Sequence, residues 1–232
     1  MSEQPLASPQ LVVHSRMLYT SFIPADPKAC SRLLPPTLRP AANGAVYMNQ
    51  YVVDTAEQTT GFGQYSLTYL GLDLAGHVAP DGVTPGRFFT HYLNSSERVR
   101  AYVRERGVPV EAGETALVIE GDILTATTSV EGVPVIRSRA RISAEIGVIA
   151  RGHLLYLTRV ANRIVGGRYP YIGELVNPFE VLSIEMLAPD HPVYALRPAS
   201  PLAIVPAACF YSPRNSFVYP GGEEDLGPAG GH

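Results

Sequence analysis

Residues 92–109, YLNSSERVRAYVRERGVP, carry a strand end, a helix and its stop in one short run. Asn94-Ser95-Ser96-Glu97 has the spacing of a capping box, with Asn94 as cap and Glu97 returning to its backbone. The helix that follows is predicted to run to about Arg106 and to end at Gly107, the residue that best tolerates the left-handed terminating conformation. Arg100, Arg104 and Arg106 lie near its C-terminal end, where cations suit the helix dipole. Upstream, Arg87 to Leu93 reads as a strand.

Outward from this stretch the pattern is strand after strand. Leu11 to Ile23 is rich in Val, Leu, Tyr and Thr, and Asp26-Pro27 then opens a short helix through Leu34 that Pro35-Pro36 stops. Ala45 to Val53 and Gln64 to Leu74 read as strands around a Gly- and Thr-rich turn. Thr115 to Val130 and Val133 to Ile146 read as a hairpin closed by Glu131-Gly132. Leu154 to Val160, Glu180 to Leu187 and Pro201 to Phe217 add further strands, with Gly166-Gly167 as a turn. The Gly-, Pro- and acid-rich segment 220–232 is expected to be a disordered tail. No solenoid or propeller period is present. The expected class is α+β, mostly antiparallel β. One closed or nearly closed barrel or cone, decorated by short helices, would span residues 1–219.

Composition limits the function classes. A chain of 232 residues with 46% hydrophobic and 17% charged residues can bury an ample core without staples. The net charge of −3 and the dispersed arginines argue against nucleic acid as a partner. No apolar run has the length of a membrane span, and the polar N-terminus lacks the apolar region of a secretory signal. A cytoplasmic setting is the expectation, with Cys30 and Cys209 as free thiols. No HxH, HxxxH or CxxC pair suggests a metal, and no Walker A, GxGxxG or GxSxG signature suggests a cofactor or a serine nucleophile. Lys28 is the only lysine, which leaves almost no candidate for amine catalysis.

Three groups of residues carry possible chemistry. Arg137, Arg139 and Arg141 alternate along one strand and share a face. They read as a solvated strip paired with Asp122 and Glu120, or more sharply as an anion site. Tyr47, Asn49 and Tyr51 share one strand face, and Tyr65 and Tyr69 share another. They are core packing or the lining of a ligand cavity. His91, flanked by aromatics, is either a satisfied core residue or an acid/base group; His14 has the same two readings, and His77 reads as solvated.

Four segments in shared order resemble the acetoacetate decarboxylase family over residues 12–145. They are Arg16 with its strand, polar turn, short helix and Leu33-Leu34-Pro35; Gly63-Gln64-Tyr65; Tyr92-Leu93-Asn94 through Gly107-Val108-Pro109; and the strand pair Ala116 to Ile142. The resemblance implies that fold, an active-site role for Arg16, and a homo-oligomer. It also implies a loss. The family's Schiff-base lysine and its lysine neighbour match Val110 and Glu111, and the glutamate of its Gly-x-Tyr-x-Glu strand matches Leu67. Without an amine no imine forms, so Schiff-base decarboxylation is not expected.

What remains is a small-molecule site without metal or cofactor. One reading is a cyclase, lyase or isomerase of specialised, polyketide-like metabolism acting on an enolisable, largely apolar substrate. Arg16, His91 and Glu111 would be its catalytic groups, and Asn49, Tyr51, Tyr65, Leu67, Tyr69 and Val110 its substrate contacts. Glu111 is a base only if it points inward beside Val110, and strand alternation turns it away. The other reading is a non-catalytic binder of a small apolar acid, with Arg16 as its charge partner.

Overall fold

The computed structural model describes residues 6–205, 208–219 and 221–230. Seven strands close on themselves: β1 (Gln10–Phe22), β2 (Val46–Val53), β3 (Tyr65–Val78), β4 (Pro85–Asn94), β9 (Ile146–Val160), β10 (Arg163–Val176) and β12 (Phe210–Tyr219). They run in the order β12-β1-β2-β3-β4-β9-β10, and β10 pairs back onto β12. Every neighbouring pair is antiparallel except β4 with β9, where Arg87 lies opposite Tyr156. The short strand β5 (Val110–Ala112) adds in parallel to β4, and β13 (Glu224–Pro228) adds to β10.

A second sheet of β6 (Glu114–Glu120), β7 (Ile123–Val130), β8 (Val133–Ile142) and β11 (Phe179–Met186), in the order β11-β8-β7-β6, packs on the outside of the barrel. Leu117, Leu124, Ala126 and Ala140 from this sheet meet Leu18 and Tyr211 of the barrel. Helices α1 (Pro27–Ser31) and α2 (Glu97–Arg104) decorate the ends.

Burial on both faces explains why the barrel strands read as nearly continuous apolar runs. Along β2 and β3, Val46, Met48, Leu70 and Leu72 point outward into an aliphatic core, while Tyr47, Tyr51, Tyr65 and Tyr69 point inward into an aromatic one. The period of two sorts aliphatic from aromatic rather than apolar from polar.

Several local expectations are corrected. The cap of α2 is Ser96, whose side chain accepts from the Val99 N–H, while buried Asn94 accepts from the Ser96 N–H at 2.7 Å. Glu97 turns to Arg100 and Arg104 instead of the backbone. Gly107, at φ 73°, terminates the helix as expected. Thr115 to Val130 is not one strand, because Gly121-Asp122 turns it back and makes a β6–β7 hairpin. The Glu131-Gly132 turn holds, but a register shift near Ser129 puts Arg141 opposite Ile123. Arg141 still reaches Asp122 at 3.4 Å and also pairs with Glu180; Arg139 and Arg141 are exposed and Arg137 is half-buried, so the strip is the solvated face. His14, read as a core residue or an acid/base group, is exposed on a bulge.

Three further differences lie in the C-terminal part. Gly166-Gly167 lies inside β10, where a Cβ on Gly167 would fall 2.1 Å from the Tyr156 ring. The glycine makes room for an aromatic neighbour and makes no turn. The segment read as a strand from Pro201 becomes regular only at Phe210. Residues 221–230, read as disordered, include β13, and Glu223 accepts from the Tyr156 hydroxyl at 2.6 Å while lying 3.1 Å from the Arg106 Nε.

Candidate active site

The inward aromatic face encloses a cavity of about 380 Å³ inside the barrel. Its lining comes from all seven strands, including Met17 and Tyr19 (β1), Asn49 and Tyr51 (β2), Tyr69 and Asp73 (β3), and Arg87, Phe89 and Tyr92 (β4). Leu154, Tyr169 and Tyr171 and, from β12, Phe210, Asn215, Phe217 and Tyr219 complete the wall. Exposed or half-exposed Asn43, Val83, Thr84, Pro85, Val205 and Ala208 form the mouth.

One ion pair lies in this wall. Asp73 and Arg87 are direct cross-strand partners, and Arg87 Nε donates to Asp73 Oδ1 at 3.1 Å. Both side chains are about nine-tenths buried. The guanidinium carbon lies 5.2 Å from the ring centroids of both Tyr19 and Tyr47, so the charge is wedged between two π faces. Burial opposes that charge, but Tyr19, Asp73, Tyr47 and Tyr169 together outweigh it and hold the Arg87 pKa above its ordinary value. Burial also pushes the Asp73 pKa upward against the pull of Arg87. Its Oδ2 accepts no hydrogen bond among the described residues.

The tyrosines in and behind the rest of the wall are neutral. Burial raises Tyr19, Tyr47, Tyr51, Tyr69, Tyr169 and Tyr219 above the usual phenol range, so their hydroxyls stay protonated. The buried hydroxyls of Tyr19, Tyr47 and Tyr219 have no partner among the described residues, and neither does Asn49 Oδ1. Asn49 is held by its amide, which donates to the Tyr69 hydroxyl at 2.8 Å and to Met17 Sδ at 3.3 Å. Among the described residues the cavity therefore presents one cation and one carboxylate in low-dielectric surroundings.

The sequence-predicted residues divide. Asn49, Tyr51 and Tyr69 line the cavity. Tyr65 stands one layer behind, with its hydroxyl 2.9 Å from that of Tyr51, and Leu67 is fully buried in the same aromatic cluster. Val110 packs against that cluster from β5 without lining the cavity.

The three expected catalytic residues all lie elsewhere. Arg16 forks onto Asp54 at 2.6 and 2.8 Å and donates to the Leu117 carbonyl at 3.1 Å, tying the barrel to the edge of β6. Glu111 faces outward, as alternation implies, and approaches His191 Nε2 at 3.3 Å. His91 shares that outer side. Burial, reinforced by His191, lowers its pKa to about 4, and its Nδ1 lies 3.1 Å from Thr90 Oγ1.

A bulge explains the misplacement of His91. Leu70 pairs with His91 but Gly71 pairs with Phe89, leaving Thr90 as the extra residue. Phe89 and Tyr92 thus both point inward although three apart, and His91 is turned out. Gly71 makes this possible: a Cβ there would lie 1.9 Å from the Phe88 carbonyl oxygen and 2.6 Å from the Tyr47 hydroxyl.

Reasoning from sequence missed Arg87 and Asp73. The available signal was that Arg87 alternates in phase with Phe89, and Asp73 with Tyr69, on strands that already carried the cavity tyrosines. The chain's single lysine, Lys28, is exposed on α1 and does not line the cavity.

Among the described residues, no group of three or more His, Cys, Asp or Glu side chains could hold a metal ion, and no helix is long and apolar enough to cross a membrane. No family model and no curated protein sequence matches the chain. Solved structures do. An acetoacetate decarboxylase superposes with a TM-score of 0.67 at 14% identity, covering 98% of this chain and 93% of that one. The enduracididine biosynthesis enzyme MppR, complexed with pyruvate, gives 0.66 at 15% identity, covering 99% and 94%. An acetoacetate decarboxylase-like enzyme from Sphingomonas wittichii gives 0.61 at 13% identity, covering 98% and 97%. The barrel, its outer sheet and its two short helices are therefore the acetoacetate decarboxylase-like fold.

Proposed function

We propose that this protein is an enzyme of specialised metabolism that enolises a carbonyl acid in the barrel cavity without a Schiff base. The observation that carries this reading is the buried Asp73–Arg87 pair in the cavity wall. Asp73, with burial raising its pKa and Oδ2 free, takes the α-proton. Arg87 holds the carboxylate or the developing enolate oxygen. A carboxylate within reach of the cation distinguishes this cavity from one with hydroxyls and a guanidinium alone, which would only bind. Among the described residues no amine lines the cavity to form an imine, and the sole lysine lies outside it. The solved enzymes of this fold include one complexed with pyruvate, and a 2-oxo acid is the kind of ligand proposed here. Proton return at another carbon, loss of a leaving group or ring closure would make the enzyme an isomerase, lyase or cyclase.

The test is proton NMR in D2O of the purified protein with short β-keto and 2-oxo acids. Enzyme-dependent α-proton exchange is expected. Asp73→Asn should slow it by about 10²–10⁴-fold, the usual worth of a positioned general base. Binding of the acids with no exchange would instead identify a binding protein. Rapid CO2 release would contradict an imine-free enolisation.

A further inference from the structure

Closure of the barrel leaves one strand edge open. β9 pairs with β10 from Ile146 to Val160 but meets β4 only at Tyr156 and Leu157. The β4–β9 contact is parallel, with Arg87 opposite Tyr156, and β4 begins at Pro85. The first part of β9 therefore runs past the start of β4, and from Ile146 to Leu154 no described strand pairs with its other edge. Backbone N–H and C=O groups along such an edge are a template for a further strand.

The side chains there are apolar and uncovered. Ile146, Val148 and Ile149 are 41%, 55% and 62% exposed, and Ile172, opposite Arg151 on β10, is 50% exposed. Ala144 to Ile149 are all exposed, so both faces of the ribbon are open. Residues 144–154 contain no Lys or Pro, the residues that commonly keep an edge solitary. The register with β10 shifts once, between Ile146 and Val148, without burying the segment. A lone exposed apolar side chain is ordinary, whereas a run of β-branched ones on an unpaired edge marks an interaction surface.

The charges identify the partner. Glu145 precedes the apolar run and Arg151 follows it. Both are exposed, and neither has an ion-pair partner among the described residues, whereas nearby Glu174 holds Arg214 at 2.6 Å. An antiparallel copy of the segment, turned about a two-fold axis through Val148, sets Glu145 of each chain opposite Arg151 of the other. A parallel copy in register would set like charges together. The edge is thus complementary to itself in one direction only.

We propose that the open edge of β9 pairs antiparallel with the same edge of a second copy of this chain, about a two-fold axis near Val148, with reciprocal Glu145–Arg151 ion pairs. The pairing uses up the edge on both chains, so the assembly closes instead of growing. It is independent of the chemistry assigned to the cavity.

Analytical ultracentrifugation of the full chain at micromolar concentration tests the pairing. The parent should sediment as a dimer or an even multiple, and Ile149→Lys should halve its mass. Glu145→Arg and Arg151→Glu each bring like charges together and should each weaken self-association by about tenfold or more. The double variant exchanges the two charges and should restore it. All three positions are exposed, so the variants should keep the parental urea midpoint. A monomeric or odd-numbered parent, an unchanged mass in Ile149→Lys, or a double variant no better than the single ones would each overturn the proposal. The parent's mass and the charge exchange decide the matter even if Ile149→Lys loses its fold.

Discussion

At the scale of single residues, the chemistry depends on which charges are taken out of water. The Asp73–Arg87 pair is costly to bury and is not retained for stability alone, since apolar residues of similar volume often replace such pairs without loss. Removing one partner is another matter, because it leaves a buried charge uncompensated. His91 shows the same physics without a partner. Below about pH 6.5 the unfolded chain takes up a proton that the folded chain refuses until about pH 4. Stability therefore falls as the pH drops through that window and levels off below it, by roughly 3 kcal/mol for the full shift. His91→Gln is expected to flatten this loss relative to the parent when urea midpoints are compared near pH 7 and near pH 5. Equal slopes in both proteins would show that burial does not hold His91 neutral. His191, which acts on His91, and its partner Glu111 are unchanged in both proteins, so the comparison changes only His91.

At the scale of elements, what could be read in advance followed from period and punctuation. The helix in 92–109, its Gly107 stop and the Glu131-Gly132 turn were legible because capping, left-handed glycine and hairpin turns are local. The β4 bulge was not, since an extra residue in one strand shows only against its partner. Nor was β10, whose two glycines mimic a turn but make room across the sheet, Gly167 for Tyr156 and Gly166 for Leu226. The C-terminal segment misled for a similar reason: its composition is that of a tail, yet Glu223 is drawn in by Tyr156 and Arg106. Glu223→Leu, which removes the acceptor, is expected to cost about 1–3 kcal/mol in urea unfolding. A change within error would mean that the segment adds nothing to barrel closure.

At the scale of the whole molecule, the sequence revealed the fold better than the site. The resemblance to acetoacetate decarboxylases predicted the barrel that the solved structures share, at identities of 13–16%. It also carried Arg16 into an active-site role on strand order alone, whereas in three dimensions Arg16 clamps Asp54 and the β6 edge. The cation of the cavity is Arg87, contributed by a different strand. A site made from seven strands is a property of closure, and closure is decided by contacts far apart in the chain. The tyrosine faces were visible beforehand, but which arginine joined them was not.

The most direct measurement is α-proton exchange in D2O by Arg87→Met and Arg16→Met, side by side with the parent protein. Arg87→Met is expected to lose about 10²–10³-fold, the usual worth of one oxyanion donor. Arg16→Met should exchange at the parental rate and lose about 1 kcal/mol of stability or less, as a partly exposed ion pair should. Loss of exchange in Arg16→Met with full activity in Arg87→Met would contradict the barrel cavity as the active site.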